Sequence, residues 1–416
     1  MVLSCLLPAL GCSSGSGSRT ATGAPITTPE AIRAFLVRQA ESTVPVTTVD
    51  PGSPVSGLSA EESRVFEEGR TVFSEAEGPD DGLGPVFNGT SCVECHSQGG
   101  VGGAAFDSTV SVVTRIGGEF DGQYTDLEEK GGAVLQRRSI REFDPTSPVL
   151  PETVPPEATF VSKRTTTPLF GAGLMEAVSD ATLESLADPE DRDRDGISGR
   201  VNHVVNPETQ KTEVGRFGWK SQISSLTVFA ADAYLHEMGI TTPLFPIDLL
   251  PQGKAIPGAD TVPEPEDDGA DIPLFAGFMR FLGPPTTETD PAAERGAVTF
   301  QKVGCVSCHI PELPTGKSES EALAGRRIAL YSDLLLHDMG PGLADGIRQG
   351  QATGSEFRTA PLWGIRLRKF LLHDGRAGSI REAIDWHGGE ASQVIANFRR
   401  LNSGDAADLI RFVETR

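Results

Sequence analysis

The sequence predicts a mainly α-helical protein of two similar domains, with long loop insertions in the first. Three observations support this prediction. The pentapeptide Cys-x-x-Cys-His occurs at residues 92–96 and 305–309, a Gly-x-x-x-Phe pattern precedes each copy, and an Arg-Thr segment ending in Pro-Leu-aromatic-Gly follows each copy. Duplication explains these echoes better than chance. We therefore expect a leader and flexible linker over residues 1–55, a first domain over 56–285 and a second over 286–416.

The duplicated pentapeptide is the attachment signature of a c-type haem. Its two thiols reach the two vinyl groups of one porphyrin, and the histidine lies under the iron as proximal ligand. The predicted attachment residues are Cys92, Cys95, Cys305 and Cys308, and the predicted proximal ligands are His96 and His309. Cys-x-x-Cys alone also suits thiol exchange or a four-cysteine zinc site, but a histidine follows both copies. Two covalently bound haems are the preferred interpretation.

The acidic composition limits the class of partner. The 416 residues include 36 Lys and Arg against 58 Asp and Glu, for a formal net charge of -22. This charge argues against nucleic-acid binding and favours an electron-transfer partner that is basic or docks on a local patch. Hydrophobic residues make up 38% of the chain, which is enough for globular domains with cores.

The first twelve residues resemble a bacterial lipoprotein signal in which Cys12 is lipidated. A short apolar stretch ends at this cysteine, and a Ser- and Gly-rich run typical of a flexible tether follows. No other segment has the roughly 20 apolar residues needed to cross a bilayer. We expect export to the periplasm or outer envelope, since haem is attached to such motifs outside the cytoplasm. Membrane contact is expected only through the lipid anchor.

Two helix pairs are predicted, one around each haem motif. A capping box over residues 59–62 begins a helix whose apolar face carries Phe66, Gly69 and Phe73, and Gly296 and Phe300 repeat the spacing before the second motif. The matching closing helices are expected over residues 274–282 and 405–413. Between the motifs, the Gly-rich and charged insertion over 117–156 is expected to form loops over the haem edge.

A short acidic segment has the pattern of a calcium-binding loop. Carboxylates alternate at Asp191, Asp193 and Asp195, a glycine follows, and the Ile197 carbonyl would complete the set of hard oxygen ligands. The twelfth position is Asn202 rather than the bidentate glutamate of an EF-hand. The alternative is a solvated acidic turn neutralised by its neighbouring arginines.

Several segments resemble the dihaem oxidoreductase branch of the bacterial dihaem cytochrome c peroxidase superfamily, a branch also labelled predicted thiol oxidoreductases. The resemblance extends from about residue 57 to the end and implies two cytochrome c-like haem domains. The segments that carry it are Phe87-Asn88-Gly89-Thr90-Ser91, Gly215-Arg216-Phe217-Gly218-Trp219-Lys220, Met238-Gly239-Ile240-Thr241 and Tyr331-Ser332-Asp333-Leu334-Leu335-Leu336-His337-Asp338-Met339-Gly340.

The resemblance implies roles for three further residues. In the peroxidase relatives, a His-x-Gly turn is followed fourteen positions later by the distal ligand of the C-terminal haem, and here that position is His387. Trp219 corresponds to a tryptophan between the two haems. Glu237 corresponds to a glutamate beside the peroxide-binding haem, and it is the candidate acid and base for O–O cleavage. The alternative for His387 is a histidine on the surface, and the alternative for Glu237 is a solvated carboxylate on a helix.

Two departures from the relatives concern the first haem. Phe229 stands where the relatives carry a glutamine upstream of the glutamate, so polar support at the peroxide site is expected to differ. Val112 stands where some relatives keep a removable distal histidine, so the first iron is either permanently open or closed by another residue. The candidate closing residues are Met175, His203, His236, Met238, His337 and Met339.

The predicted function is that of an exported dihaem c-type oxidoreductase of peroxidase type. The first haem would reduce hydrogen peroxide, or use it to oxidise a small substrate, and the second would relay electrons from a small redox protein or a quinol-linked donor. The predicted cofactors are two covalently bound haems c and one calcium ion, which the relatives hold between their domains. The alternative is a non-catalytic dihaem electron-transfer cytochrome in which both irons are six-coordinate.

Overall fold

The computed structural model describes residues 43–107, 111–260 and 262–416. The predicted leader, with Cys12, lies outside the described residues. Helix makes up 31% and strand 16% of the described residues. Helix is the more frequent element, but strand is more abundant than expected, so the mainly helical prediction holds only in part. The described residues contain no helix that combines the length and the apolar character of a membrane span.

The described part of the chain contains ten α-helices and thirteen strands. The helices are α1 (Ala60–Ser74), α2 (Cys92–Cys95), α3 (Ala172–Glu176), α4 (Asp180–Leu186), α5 (Leu226–Ala233), α6 (Asp271–Phe281), α7 (Pro291–Val303), α8 (Ile380–Trp386), α9 (Ser392–Arg399) and α10 (Ser403–Glu414). The strands are β1 (Val44–Pro45), β2 (Val86–Phe87), β3 (Val112–Phe120), β4 (Gln123–Thr125), β5 (Val134–Leu135), β6 (Arg138–Ser139), β7 (Phe160–Thr165), β8 (His203–Asn206), β9 (Lys211–Val214), β10 (Leu313–Pro314), β11 (Arg326–Ile328), β12 (Leu336–Asp338) and β13 (Glu356–Arg358). A π-helical turn, Tyr234–Met238, follows α5 directly.

The helix pair in the first half has the predicted form. Ser59 and Glu62 make the reciprocal hydrogen bonds of a capping box at the start of α1. Phe66, Gly69 and Phe73 are the buried residues of this helix. A Cβ at Gly69 would overlap a backbone carbonyl of α6, so the glycine permits the close crossing of the two helices.

The second half repeats this arrangement with α7 and α10. Asp290 caps α7 by accepting a hydrogen bond of 2.8 Å from the Ala293 amide. Gly296 lies against the backbone of α10, where a Cβ would overlap the carbonyl oxygen of Asp408. The Phe300 ring packs 5.2 Å from the ring of Phe412. The predicted Gly-x-x-x-Phe duplication is therefore a duplication of helix packing.

The two copies of the Pro-Leu-aromatic-Gly segment pack against each other. A Cβ at Gly171 would clash with the Trp363 ring, and a Cβ at Gly364 would lie 3.4 Å from the Phe170 ring. Both glycines have positive φ, at 69° and 73°, so each turn needs a residue without a side chain. The repeats thus form a reciprocal contact between the two halves of the chain.

The structure corrects the expectation for residues 117–156 in part, because the end of β3, β4 and β5 within this range belong to a small antiparallel sheet rather than to loops. β3 pairs with β7 from Val112 opposite Thr165 to Gly117 opposite Phe160, and it also pairs with β4 and β5. The β-branched residues at the start of β3 favour a strand. Val113 and Arg115 line the first of the two large cavities described below, so the sheet forms one of its walls.

Residues 43–55 were assigned to the flexible linker, yet they are joined to both halves of the chain. β1 pairs in parallel with β11, and the Val49 amide donates 2.9 Å to the carbonyl of Pro284. The Val55 amide donates 2.8 Å to the carbonyl of Phe281 at the end of α6. A linker, if present, therefore ends before residue 43. The other predicted domain boundaries remain predictions.

Candidate haem sites and active site

Each Cys-x-x-Cys-His motif opens into its own cavity. The first cavity has an empty volume of about 1210 Å³ and is lined by Cys92, Cys95 and His96. The second has about 1340 Å³ and is lined by Cys305, Cys308 and His309. Because the two cysteine pairs belong to different cavities, they cannot share one four-cysteine zinc site.

Three histidines in these cavities make the same kind of hydrogen bond, from Nδ1 to a backbone carbonyl. Their Nδ1 atoms lie 3.2 Å from the Gly103 carbonyl for His96, 2.9 Å from the Tyr331 carbonyl for His309 and 2.7 Å from the Ala383 carbonyl for His387. A carbonyl only accepts hydrogen bonds, so each Nδ1 carries the proton and each Nε2 keeps its lone pair. Burial lowers the pKa of His96 and His309 to about 4 and also lowers the pKa of His387. The neutral ring with a free Nε2 is the form that ligates iron.

Two arginines indicate where an anionic group would lie. Among the described residues, the buried Nε of Arg115 in the first cavity has no hydrogen-bond partner, and neither do Nε and Nη2 of Arg368 in the second. Burial lowers the pKa of Arg368 to about 10. A buried guanidinium without an acceptor is costly, and the carboxylates of a haem would satisfy it. The donor set of each cavity therefore fits a haem.

Three of the four motif cysteines do not have the properties of redox-active thiols. Burial raises the pKa of Cys92, Cys95 and Cys305 to about 12. The reactive form in thiol exchange is the thiolate, which forms where positive charge or a helix terminus lowers the pKa. These environments therefore argue against the thiol oxidoreductase interpretation.

Trp219 lies between the two cavities and lines both. Only 8% of the residue is exposed, and its indole Nε1 donates 2.8 Å to the Thr165 carbonyl of β7. On the side of the second cavity, its ring lies 6.4 Å from the ring of His373, and the Arg368 guanidinium lies 5.6 Å above it. The tryptophan is thus held in one orientation in the wall that the two cavities share.

Glu237 lies in the π-helical turn and faces the first cavity. A π-turn shifts the residues after it relative to a regular helix, and such turns are frequent at functional sites. Burial raises the pKa of the Glu237 carboxyl to about 7. Phe229, which replaces the glutamine of the relatives, lines the same cavity. The structure thus brings Glu237 and Trp219 to the cavity of His96, and His387 to the cavity of His309.

The sequence match that decides the family covers residues 153–416, which fit the model described as "Di-haem oxidoreductase, putative peroxidase". The chain belongs to this di-haem oxidoreductase family. It is therefore a peroxidase-like oxidoreductase with two haem cofactors. No curated protein matches the sequence.

Three solved structures align loosely with this di-haem oxidoreductase. A hydrazine synthase of Kuenenia stuttgartiensis has 14% identity and a TM-score of 0.41, covering 99% of this chain and 100% of its own. A MauG-like protein associated with microbial copper homeostasis has 16% identity and a TM-score of 0.38, covering 90% and 92%. The diheme peroxidase BthA of Burkholderia thailandensis has 13% identity and a TM-score of 0.38, covering 89% and 95%. The family assignment rests on the sequence match rather than on these alignments.

His337 and Met339 of this di-haem oxidoreductase do not reach the first iron site, which corrects their candidacy as its closing ligands. Both line the second cavity. The two nitrogens of His337 are occupied, with Nε2 2.9 Å from Asp333 and Nδ1 2.7 Å from Glu390. The neighbouring Cys308 and Asp333 raise the pKa of His337 well above the usual value, which disfavours iron ligation. Of the six candidates, Met238 is the one that lines the first cavity.

The predicted calcium loop has part of the expected geometry. Carboxylate oxygens of Asp191, Asp193 and Asp195 lie within 4.8 Å of one another. Asn202, at the twelfth position, is fully buried and donates to the carbonyls of Lys220 and Gln349, at 2.8 Å and 3.0 Å, so it is not a ligand of the loop. The Ile197 amide donates 2.9 Å to Oδ1 of Asp195, and the Gly196 amide donates 3.2 Å to Oδ1 of Asp191.

The arginines of the two cavities were missed in the sequence. Arg115 belongs to the segment that was expected to precede loops, and Arg368 is one of several basic residues after the second repeat. The available signal was proximity along the chain: Arg368 follows the Pro-Leu-aromatic-Gly turn by four residues. Nothing local distinguishes a cavity arginine from a solvated one.

Proposed function

We propose that this di-haem oxidoreductase is exported and reduces hydrogen peroxide, or uses peroxide to oxidise a small substrate, in the first cavity. The observation that carries the proposal is the position of Glu237, a buried carboxyl with a pKa of about 7, in the cavity of the first haem motif. A group with this pKa can both accept and donate a proton near neutral pH. Thioether bonds from Cys92, Cys95, Cys305 and Cys308 would hold the two haems.

Glu237 would perform the proton transfers of the reaction. A haem bound in this cavity would supply the iron that binds peroxide and the electrons for O–O cleavage. An Oε atom of Glu237 takes the proton from one peroxide oxygen and returns it to the other, which leaves as water. Two electrons and two further protons complete the conversion of peroxide to two water molecules. The net negative charge of the chain is compatible with a basic redox protein as electron donor.

His309 and His387 would hold an electron-relay haem in the second cavity. Histidine on both sides gives a lower potential than the histidine and methionine pair. Trp219 would lie on the route between the haems because it lines both cavities. Among the described residues that line the first cavity, His96 is the only histidine, and Met238 is the one candidate closing ligand, so an open first iron requires that Met238 does not bind it.

Binding of cyanide to the mature holoprotein tests the enzyme against the non-catalytic cytochrome. We expect one cyanide per protein, bound at the first haem, and consumption of peroxide when a reduced donor is supplied. An absorption spectrum that neither cyanide nor peroxide changes would mean that both irons are six-coordinate, and the cytochrome alternative would then be preferred. A haem content of two per chain, measured by mass spectrometry, is the condition for either outcome.

Replacing His387 by alanine is expected to open the second iron, so that cyanide binding rises from one to two per protein. His373 provides the matched control, because it lines the same cavity but stacks on Phe357 with ring centroids 4.2 Å apart. We expect His373→Ala to keep one cyanide per protein. If His373→Ala opens the second iron and His387→Ala does not, the assignment of the distal ligand is wrong.

We further propose that the acidic loop binds one calcium ion through Asp191, Asp193, Asp195 and the Ile197 carbonyl. The alternation of carboxylates and their convergence in the structure support this proposal. The loop adjoins the second cavity, because the Ile197 side chain lines it. Ser198 donates hydrogen bonds of 3.0 Å to both oxygens of Glu390, the residue that holds His337.

Removal of calcium is therefore expected to change the absorption spectrum and potential of the second haem while leaving the first haem unchanged. Chelation followed by calcium addition, monitored by haem spectra and by calorimetry, measures the effect. Asp193→Asn should abolish the response to calcium. Asp248→Asn, in a separate carboxylate cluster with Asp260 and Glu264, should preserve it. A response that persists in Asp193→Asn and vanishes in Asp248→Asn would place the ion elsewhere.

A further inference from the structure

The Glu237 carboxyl is held by a residue to which no role has yet been given. Nδ2 of Asn88 lies 2.9 Å from Oε2 of Glu237. Asn88 is only 2% exposed, and it precedes Cys92 of the first haem motif by four residues. The contact therefore ties the carboxyl directly to the segment that attaches the haem.

The orientation of the Asn88 amide is set by Arg137. The Arg137 backbone amide donates 3.1 Å to Oδ1 of Asn88, and its guanidinium Nη2 donates 2.9 Å to the Asn88 carbonyl. A backbone N–H can only donate, so the atom that it reaches must be the amide oxygen. The NH₂ group of Asn88 therefore points to Glu237 and donates to it.

The backbone of the π-helical turn is fixed by the same segments. The amides of Asn88 and Gly89 donate 2.7 Å and 3.2 Å to the Glu237 carbonyl. The Gln136 side chain donates 2.9 Å to the His236 carbonyl. A π-turn leaves carbonyl groups without regular helical partners, and here neighbouring segments satisfy them. The position of Glu237 is thus determined by residues outside its own helix.

We infer that Asn88 is a positioning residue for Glu237, and that it provides in this chain the polar support that Phe229 cannot provide. The inference rests on the proposed role of Glu237. The Asn88 amide donates its hydrogen bond to Glu237, and a donated hydrogen bond favours the ionised carboxyl. The contact therefore stabilises the form of Glu237 that accepts a proton from peroxide. Arg137 acts through Asn88 by fixing the direction of its amide.

The charged surroundings of Glu237 determine what removal of this donor would do. Arg115 from β3 and His236 favour the ionised carboxyl, Asp232 opposes it, and burial opposes it most strongly. Asn88 is the largest of the favourable contributions to the pKa. Its loss should therefore raise the pKa of Glu237 above about 7, so that less of the base is ionised at neutral pH.

The test compares the pH profiles of wild type, Asn88→Leu and Asn88→Asp holoproteins. We expect the acidic limb of kcat/KM for peroxide to move up by about one to two pH units in Asn88→Leu, the size that loss of a hydrogen bond to a charged group implies. Asn88→Asp keeps the contact with the Arg137 amide but places a second carboxyl against Glu237, so its limb should move at least as far. The pH dependence of the cyanide-binding rate should move in the same direction, because HCN must also transfer its proton.

Glu237→Gln separates this inference from the proposed function. In the Glu237→Gln background, Asn88→Leu should cause no further loss, because Asn88 acts only through the ionisable carboxyl that Glu237→Gln removes. An additional loss there, or a uniform loss at every pH, would mean that Asn88 is only structural, and an unmoved limb would overturn the inference while leaving Glu237 catalytic. If Glu237→Gln itself retains full activity, the proposed function of Glu237 fails first. Should Asn88→Leu lose its haem, Asn88→Asp alone decides the matter.

Discussion

Replacing Glu237 by glutamine should lower kcat/KM for hydrogen peroxide by about 10²- to 10⁴-fold, the range that a positioned acid or base contributes. Glutamine has nearly the same shape and can still meet Asn88, but it cannot take a proton at neutral pH. Haem content, the spectrum of the second haem and the number of cyanide molecules bound should stay unchanged. Steady-state kinetics with a reduced artificial donor measures the loss.

The role of Glu237 also predicts the direction in which kcat/KM changes with pH. Burial raises the folded-state pKa of Glu237 to about 7, so the carboxyl is protonated below this pH and cannot act as the base. In the wild type, kcat/KM should therefore rise as the pH passes upward through about 7 and then level off. The Glu237→Gln protein should lack this limb altogether.

Glu77 is a matched control, because the pKa of its carboxyl is also raised but the residue lies outside the first cavity. Burial and the nearby Asp81 also raise its pKa to about 7, but Glu77 does not line the first cavity. We expect Glu77→Gln to retain kcat/KM within about threefold, since a shifted pKa alone is only an indication of function. A Glu237→Gln protein that keeps both its rate and its pH limb would refute the proposed mechanism.

The presence of two haems, the helix pairs and the duplication could be predicted because each is encoded over a short stretch of chain. The Cys-x-x-Cys-His motif is recognised from five consecutive residues. The apolar residues around Gly69 and Gly296 recur with the helical period within two turns. The capping box of α1 is equally local, and its reciprocal hydrogen bonds occur as the pattern predicts. Reading these features requires no knowledge of what lies far away in sequence.

The small sheet and the state of His337 depend on long-range contacts, and the sequence did not reveal them. β3 pairs with β7 across an intervening segment whose glycines and charges resemble loop sequence. His337 looked like an iron ligand because histidine and methionine both bind haem. What excludes it is Glu390, 53 residues away, which occupies Nδ1. Side-chain partners of this kind become visible only after the chain has folded.

Gly296→Ala should destabilise the second half of the protein by about 2 kcal/mol or more. An added Cβ would overlap the carbonyl oxygen of Asp408 and crowd Phe412, and a helix backbone cannot move aside as a side chain can. Overpacking of this kind costs roughly 3 kcal/mol. Alanine recovers roughly 1 kcal/mol through its higher helix propensity. Chemical unfolding followed through the absorption of the second haem measures the difference.

The location of the damage makes this prediction specific. The Phe300 ring lies 6.2 Å from the ring of His309, and the Phe73 ring lies 6.0 Å from the ring of His96. Because each phenylalanine follows its crossing glycine by one helical turn, Gly296→Ala should disturb the second haem and Gly69→Ala the first. Gly342→Ala is the control, since a Cβ there meets nothing within 4 Å. Equal disturbance of both haems by either substitution would mean that the two helix crossings do not act as separate supports, each for its own haem.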